Sequence, residues 1–163
     1  MVAFVLSLAL AFVPHAGAAG HLPVRGIVEA GGSFAGVHIG DSEAKVKAVW
    51  GANPSACKYC TDLTWLYEYS FGEPLGAAVR FENGKAVAIF TLGSPTGWKS
   101  DKDLEMGDPI GEVYDIYKNA TTTRCIGFDA VSVRVGKLIS AFYSSAGVIY
   151  GFAIVVPGMT VCQ

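Results

Sequence analysis

The residues with the clearest chemical potential are Cys57 and Cys60, which enclose Lys58 and Tyr59 in a Cys-x-x-Cys motif. Such a pair can cycle between dithiol and disulfide and exchange electrons with the thiols of a partner. Thiol oxidoreductases place the motif after a strand and at the start of a helix, where the helix dipole stabilises the thiolate. Here the motif follows a predicted helix and precedes a predicted strand. A structural disulfide is therefore our main interpretation, and a secreted thiol-disulfide oxidoreductase or other enzyme that uses these cysteines is the alternative.

Two further cysteines, Cys125 and Cys162, bring the total to four. An even number of cysteines in a chain with a predicted secretion signal indicates two disulfides, for which three connectivities exist. We favour Cys57 with Cys60 and Cys125 with Cys162, because the first pair is local and the second would tie the C-terminal tail to a matching loop. The intervals between successive cysteines match no standard zinc-ligand spacing, so we expect no metal site.

The remaining polar residues do not predict a catalytic set. Three histidines lie within the first 38 residues, and no Ser/His/Asp or Cys/His arrangement can be built around them. We expect His38 to pack or cap beside a helix start, and Asp41 and Asp108 to cap helices. The acidic stretch 101–105 lacks the spacing of a calcium-binding loop. The chain is therefore predicted to be non-enzymatic and to need no cofactor.

The N-terminus has the features of a secretion signal. Residues 3–13 are an apolar run, and Pro14 and a stretch of small residues over 16–20 follow it. The run is too short for a membrane-spanning helix, and Ala16-Gly17-Ala18 provides a cleavage site. We predict a signal peptide over residues 1–18 and a product, extracellular or in the periplasm or cell envelope, that keeps no stable membrane anchor after cleavage.

Composition excludes several classes of protein. Charged residues make up 16% of the chain, the formal net charge is −2, and no run of Lys or Arg occurs. A nucleic-acid surface needs clustered positive charge to displace phosphate counterions, so we expect no nucleic-acid partner. With 52% apolar residues the chain can bury enough surface to fold, which excludes disorder as its main state.

A short motif occurs twice, over residues 39–50 and 106–117, and the two copies share Gly, Asp, Val and a terminal aromatic residue. In the first copy Val46, Val49 and Trp50 fall on one helical face, and the second copy repeats this apolar stripe. Pro109 is expected at the first position of the second helix, where its missing N–H costs nothing. Each copy therefore predicts a short helix.

Three strand-like runs follow each predicted helix. Asn83-Gly84 joins two runs of the first copy and is a strong hairpin signal, because both turn residues need positive φ. In the second copy both faces of the runs are apolar, so either a bulge changes the register or both faces are covered. The predicted runs are residues 64–71, 76–82 and 85–92, then 128–135, 138–144 and 148–156.

If the hairpin loop has two residues, one face of the first meander is apolar and the opposite face carries Glu82, Lys85 and Arg80. The predicted apolar face consists of Ala77, Val79, Phe81, Ala86, Ala88 and Phe90. Each copy is thus a helix followed by an antiparallel meander. We predict an α+β fold of two tandem repeats, over residues 19–95 and 96–163.

The two copies of G-D-x-x-x-x-V-x-x-x-[W/Y], each followed by a cysteine-bearing loop and a meander, resemble the beta-lactamase inhibitor protein family. A single copy also resembles the BamE-type outer-membrane assembly lipoproteins, although this chain lacks their lipid-attachment cysteine. The resemblance spans roughly residues 34–156. It implies one curved sheet with the helices on one face, and inhibition of a beta-lactamase as an activity. We match none of the inhibitors' enzyme-contacting residues.

We therefore predict a secreted protein-binding or envelope-associated module with an inhibitor-like character and a partner protein that the sequence does not identify. The expected contact surface is the solvent face of the sheet, with Arg80, Leu138 and Phe142 as candidate contact residues. A structural protein that self-associates through the apolar sheet of the second repeat is a further possibility.

Overall fold

The chain folds as an α+β protein built mostly from strands, as the sequence predicts. The computed structural model describes residues 22–68, 76–93 and 97–163. The predicted signal peptide and the predicted boundary between repeats lie outside the described residues. Within the described ranges, no helix is long and apolar enough to cross a membrane.

The elements of these ranges are β1 (Gly26–Val28), β2 (Ser33–Phe34), β3 (Val37–His38), α1 (Glu43–Trp50), β4 (Ser55–Ala56), β5 (Thr64–Glu68), β6 (Gly76–Glu82), β7 (Lys85–Leu92), β8 (Trp98–Ser100), α2 (Gly111–Ile116), β9 (Thr121–Arg124), β10 (Asp129–Val135), β11 (Leu138–Ser145) and β12 (Val148–Val155).

Eight of these strands form one antiparallel sheet in the order β4-β5-β6-β7-β12-β11-β10-β9. The first repeat supplies β4 to β7 and the second supplies β9 to β12, so each repeat is a meander that follows its own helix. The two meanders join where β7 pairs with β12, with Ile89 opposite Ile154 at the centre of the contact. One continuous sheet therefore spans both repeats.

Both helices pack on the same side of this sheet, which we call the inner face. Val46 and Trp50 of α1 and Val113 of α2 belong to one buried cluster with inner-face strand residues such as Val79 and Phe152. The opposite side, which carries no helix in the described ranges, is the outer face. A second buried cluster lies there, built from Ala88, Ala130, Ala141, Tyr143, Ala153, Val155 and Val161.

A small four-stranded sheet, absent from the sequence prediction, closes the inner cluster. Its order is β3-β2-β1-β8, and β1 and β8 run parallel. Phe34 and Trp98 from this sheet pack against Trp50. The Trp50 indole N–H donates to the carbonyl of Ala35 at 3.0 Å, so the largest core side chain also has its polar atom satisfied.

Two β-bulges set which residues face outward. Phe81 pairs with Ala86 as predicted, but the register then shifts and places Arg80 opposite Ala88 and Ala78 opposite Phe90. The expectation that Ala88 and Phe90 share a face with Phe81 is therefore wrong, because the extra residue of a bulge reverses the alternation beyond it.

A second bulge lies in the β11–β12 pairing, next to Tyr143 and Ser144. Both explanations offered for the doubly apolar second meander therefore apply. The bulge changes the register, and the inner and outer clusters cover both faces of the sheet. Before the bulge, the regular alternation of β11 turns Phe142 inward and Tyr143 outward.

The repeated Gly-Asp pair connects each helix to the last strand of its meander. Gly40 N–H donates to the Ala86 carbonyl at 2.8 Å, and the Asp41 carbonyl accepts from Ala86 N–H at 2.9 Å. In the second repeat Gly107 and Asp108 make the same two bonds to Ile149, each at 2.8 Å. The Gly-Asp pair therefore joins the start of each helix to the sheet through two main-chain hydrogen bonds.

The two aspartates do not cap the helices, so that expectation is wrong. Asp41 Oδ2 accepts from His38 N–H at 2.9 Å, and Asp108 Oδ2 accepts from Glu105 N–H at 2.6 Å. Because their main chains pair with a strand, their side chains turn back toward the preceding loop. The cap of α1 is Ser42, whose Oγ accepts from Lys45 N–H.

Two related expectations also need correction. Pro109 does not begin α2, because it forms an isolated β-bridge with Val148, and the helix begins at Gly111. The His38 N–H donates to Asp41, and the largely exposed His38 ring lies 3.7 Å from the same carboxylate, so the side chain contacts the loop before α1 but neither caps the helix nor packs in the core.

We expect Gly40→Ala and Gly107→Ala each to lower the free energy of unfolding by about 1–2 kcal/mol. Both residues have positive φ, 91° and 98°, and no atom crowds the position of an added Cβ, so the cost comes from the backbone conformation. Gly111→Ala is the matched control, because it lies in α2 with equal space and no positive φ. Urea denaturation that shows equal losses in all three variants would contradict this account.

Tyr67 should make the protein sensitive to alkali. Burial raises its pKa to about 12, and its hydroxyl is buried without a hydrogen-bond partner among the described residues. The unfolded chain releases this proton near pH 10, whereas the folded chain holds it until about pH 12. The contribution of the protonated Tyr67 to the free energy of unfolding is therefore complete below pH 10 and is lost as pH rises toward 12. Tyr67→Phe should flatten the fall of the unfolding midpoint over that range, whereas the exposed control Tyr59→Phe should leave it unchanged. Parallel curves for the two variants would refute the assignment.

Candidate functional site

The three candidate contact residues do not lie on one surface. Phe142 is 2% exposed and packs against Tyr117 and Phe152 in the inner cluster, so its predicted place on the solvent face is wrong. Leu138 is half-buried and packs against the same cluster. The alternation of β11 turns both residues inward, which leaves Arg80 as the candidate on the outer face.

Arg80 is tied to a neighbour at the edge of the outer face. Its guanidinium forms an ion pair with Asp62, and its side chain is 23% exposed. The Nε atom of Arg80 is buried and has no hydrogen-bond partner among the described residues. Arg80 is thus held in place by one carboxylate, and the 23% of its side chain that is exposed remains at the outer face.

Three apolar side chains lie on the outer face of the first repeat. Leu66 alternates with the inward-facing Trp65 and Tyr67, and the bulge after Arg80 turns Phe90 and Leu92 outward. All three are half-buried rather than covered. Large apolar side chains that remain accessible on one side of a sheet favour contact with another protein. We call Leu66, Phe90 and Leu92 the outer-face apolar set.

A groove runs beside this set. It has a volume of about 460 Å³, and its walls are the sheet on one side and the end of the chain on the other. Arg80 and Glu82 supply the charged side of the wall, and residues 156–160 supply the other. The groove therefore offers both polar and apolar contacts next to the outer-face apolar set.

The outer face of the second repeat is covered by the chain itself. The C-terminal segment, Val156–Gln163, leaves β12 and crosses this face, where Val161 and Met159 pack in the outer cluster. The Tyr143 hydroxyl donates to the carbonyl of Val161 at 2.9 Å. The accessible part of the outer face is thus the part that belongs to the first repeat.

The structure contains both disulfides that the sequence analysis favours. Cys57 bonds to Cys60, and Cys125 bonds to Cys162 across 37 positions. The first disulfide lies in the loop between β4 and β5, well after the end of α1. Among the elements that the structure describes, the motif thus follows a strand and precedes another, whereas thiol oxidoreductases place it at a helix N-terminus that lowers the pKa of a thiol.

Each disulfide-bearing loop presents one fully exposed apolar residue. Tyr59 is 98% exposed and Ile126 is 100% exposed, and the two occupy equivalent positions of the duplicated sequence. They lie at opposite edges of the eight-stranded sheet, after β4 and β9. Ile126 lies at the far edge of the sheet from the outer-face apolar set, and Tyr59 lies at the tip of the loop that precedes β5, so both serve below as control positions on loop tips outside the set.

Sequence reasoning missed Phe90 and Leu92 because it assumed regular alternation through β7, and it assigned no face to Leu66 on β5. A signal was present in the sequence, because β5 and β7 carry apolar residues at consecutive positions and therefore on both faces. A strand with one solvent-exposed face usually alternates apolar and polar residues instead. In the residues that the structure describes, no cluster of three or more His, Cys, Asp or Glu side chains could hold a metal ion.

Comparison with known proteins gives one useful likeness. No protein-family model matches the chain, and no curated protein matches it. Among solved structures, the fold is similar to that of an extracellular protein containing a SCP domain from Bacillus anthracis str. Ames, with a TM-score of 0.50 and 13% sequence identity. The match covers 73% of this chain and 44% of that chain, so the present chain spans less than half of that protein.

The likeness is one of fold. At 13% identity it carries no information on activity or ligands.

Proposed function

We propose that the chain is a secreted, non-enzymatic protein-binding module, inhibitor-like in the sense that it acts by covering a surface of its partner. The partner docks on the outer face of the first repeat. The observation that carries the proposal is the half-buried outer-face apolar set, which lies on the side of the sheet opposite α1 and α2, on the same face as the groove around Arg80. Interfaces bury such apolar residues at their centre and place charged residues such as Arg80 and Glu82 at the rim.

Three observations support secretion. The sequence predicts a signal peptide over residues 1–18, two disulfides join the four cysteines, and the solved structure with a similar fold is an extracellular protein. Disulfides of this kind persist in oxidising compartments. We therefore place the mature protein outside the cytoplasm, either released or within the cell envelope.

The test is capture by the immobilised, disulfide-intact protein from the secreted and envelope fractions of its own producer. Wild type should retain one protein saturably, and Leu66→Asp/Phe90→Asp should retain less than a tenth as much, because the charges would have to be desolvated in the interface. Tyr59→Asp/Ile126→Asp carries the same chemistry at the loop tips and should bind as wild type does. Circular dichroism confirms that each variant is folded, and Leu92→Lys replaces the double variant if that one is not.

Equal retention by wild type and the folded face variant would overturn the assignment of the surface. No saturable retention by wild type would overturn the binding function.

The alternative is a secreted thiol-disulfide oxidoreductase or other enzyme that uses Cys57 and Cys60. The exposure of Cys60 keeps this alternative testable. Insulin reduction in the presence of dithiothreitol separates the two readings. Our proposal expects no acceleration above the Cys57→Ser/Cys60→Ser variant, whereas a rate above that control would establish the oxidoreductase.

A further inference from the structure

The C-terminal segment, Val156–Gln163, resembles a strap more than a part of the sheet. Three of its hydrogen bonds are internal, from Met159 N–H to the Val156 carbonyl, from Cys162 N–H to Thr160 Oγ1, and from the Gln163 side chain to the Thr160 carbonyl. It meets the sheet near its start, where Val156 N–H donates to the Val87 carbonyl at 3.0 Å, and again at Tyr143. Its far end is fixed covalently by the disulfide to Cys125.

The surface beneath the strap continues the accessible face of the first repeat. One line of paired residues crosses the sheet from Leu66 through Ala78, Phe90 and Ala153 to Ala141. Leu66 and Phe90 are half-buried, Phe90 packs against the outer cluster, and Ala153 and Ala141 are buried within that cluster, to which the strap contributes Val161. The face that we assign to the partner and the face under the strap are therefore one surface, part of which is occupied by the chain itself.

The disulfide that fixes the strap can be approached from solvent. Cys125 lines an open depression of about 360 Å³ together with Arg124 and Phe128. The Arg124 side chain is 90% exposed and pairs with Asp129, which lines the same depression, so the two charges offset each other there. Thiolates attack a disulfide more readily where access is open, which is the property that the depression supplies.

We propose that the C-terminal segment is a redox-released strap, which covers the outer face of the second repeat while Cys125 and Cys162 are joined and uncovers it when they are reduced. The reductant is a dithiol. Its first thiolate forms a mixed disulfide with one cysteine, and its second thiol resolves that bond. Cys125 and Cys162 together gain two electrons and two protons as thiols, and the dithiol leaves as a disulfide. The role of the released face in partner binding rests on the proposed function, whereas release of the strap does not.

The first measurement needs no partner. Hydroxyl-radical labelling followed by mass spectrometry compares wild type with Cys125→Ser/Cys162→Ser, and Cys57→Ser/Cys60→Ser is the matched control that removes the other disulfide. We expect labelling of Tyr143, which the strap buries, to rise at least fivefold in Cys125→Ser/Cys162→Ser alone, while the inner-face Phe142 stays protected. Wild type treated with a mild dithiol should give the same pattern, which provides the answer if the serine variant does not fold.

Unchanged labelling of Tyr143 after the disulfide is lost would overturn the strap, because the segment would then stay seated without its bond. A parallel rise at Tyr143 and Phe142 would also overturn it, because the disulfide would then hold the whole fold rather than one segment. With the captured partner in hand, reduction should tighten its binding at least tenfold, and an unchanged affinity would overturn the link to binding. A wild type that captures nothing overturns the proposed function, and the labelling result still decides the strap.

Discussion

Trp50→Ala should lower the free energy of unfolding by about 4 kcal/mol, the largest loss that we expect from a single substitution. Trp50 is 1% exposed, and its ring contacts Phe34, Tyr67 and Trp98, so β2, β5 and β8 all meet on it. Truncation leaves a cavity that three separate elements border, and it also leaves the Ala35 carbonyl without its donor. Guanidinium denaturation measures the loss directly.

Tyr117 is the control for this prediction, because it occupies the equivalent position at the end of the second copy of the motif. It is half-buried, and its hydroxyl has no hydrogen-bond partner within the described ranges. Tyr117→Ala should therefore cost clearly less than Trp50→Ala. Equal losses at the two positions would show that the small sheet does not depend on Trp50 in the way that its contacts indicate.

Removal of the long disulfide should have the second largest effect. In the chain-entropy account, Cys125→Ser/Cys162→Ser lowers the free energy of unfolding by about 4 kcal/mol, because the bond closes a long loop in the unfolded chain. Cys57→Ser/Cys60→Ser is the matched control, and it should cost about 2 kcal/mol or less, because its cysteines are only three positions apart. Urea denaturation of the two variants and wild type provides the comparison.

A larger loss from the short disulfide than from the long one would contradict this order. It would show that the loop between β4 and β5 stabilises the native state through contacts that depend on the bond. Equal and small losses would indicate that the unfolded chain keeps structure around Cys125 and Cys162 even without the bond.

The meanders could be predicted from the sequence because local signals define them. The Asn83-Gly84 turn separates β6 from β7, whose observed bounds equal the predicted ones. Gly136-Lys137 and Ala146-Gly147 separate the strands of the second meander in the same way. Both Asn83 and Ala146 adopt the positive φ that such turns need, 51° and 52°. The cysteine pairing follows the same logic, since one pair is local and the other joins the tail to the repeat.

The small sheet could not be predicted, because its strands are two or three residues long and β1 pairs with β8 from a distant part of the chain. Such short strands show no periodicity, and they form only because Phe34 and Trp98 complete the core around Trp50. The bulge in β7 was equally invisible, since one extra residue there leaves the composition of the strand unchanged, whereas the two apolar faces of the second meander did indicate a bulge as one of two alternatives.

The candidate site could be predicted only in part. Sequence reasoning placed Phe142 on the surface, assigned Phe90 to the face of Phe81 because it missed the bulge in β7, and assigned no face to Leu66 on the regular strand β5. A shift of one position moves a side chain to the other face of the sheet. The predicted strand is then still correct, but the predicted surface residues are wrong. Arg80 was placed correctly because it lies in β6, which alternates regularly. The extra residue of the bulge lies in β7, the partner strand.

Side-chain footprinting of the complex tests the central claim most directly. The disulfide-intact protein is exposed to hydroxyl radicals with and without its captured partner, and mass spectrometry measures the labelling of each residue. We predict that the partner protects Leu66, Phe90 and Leu92, while the loop-tip residues Tyr59 and Ile126 are labelled as before. Protection of Tyr59 or Ile126 without protection of the outer-face apolar set would contradict the account and move the binding surface to the edges of the sheet.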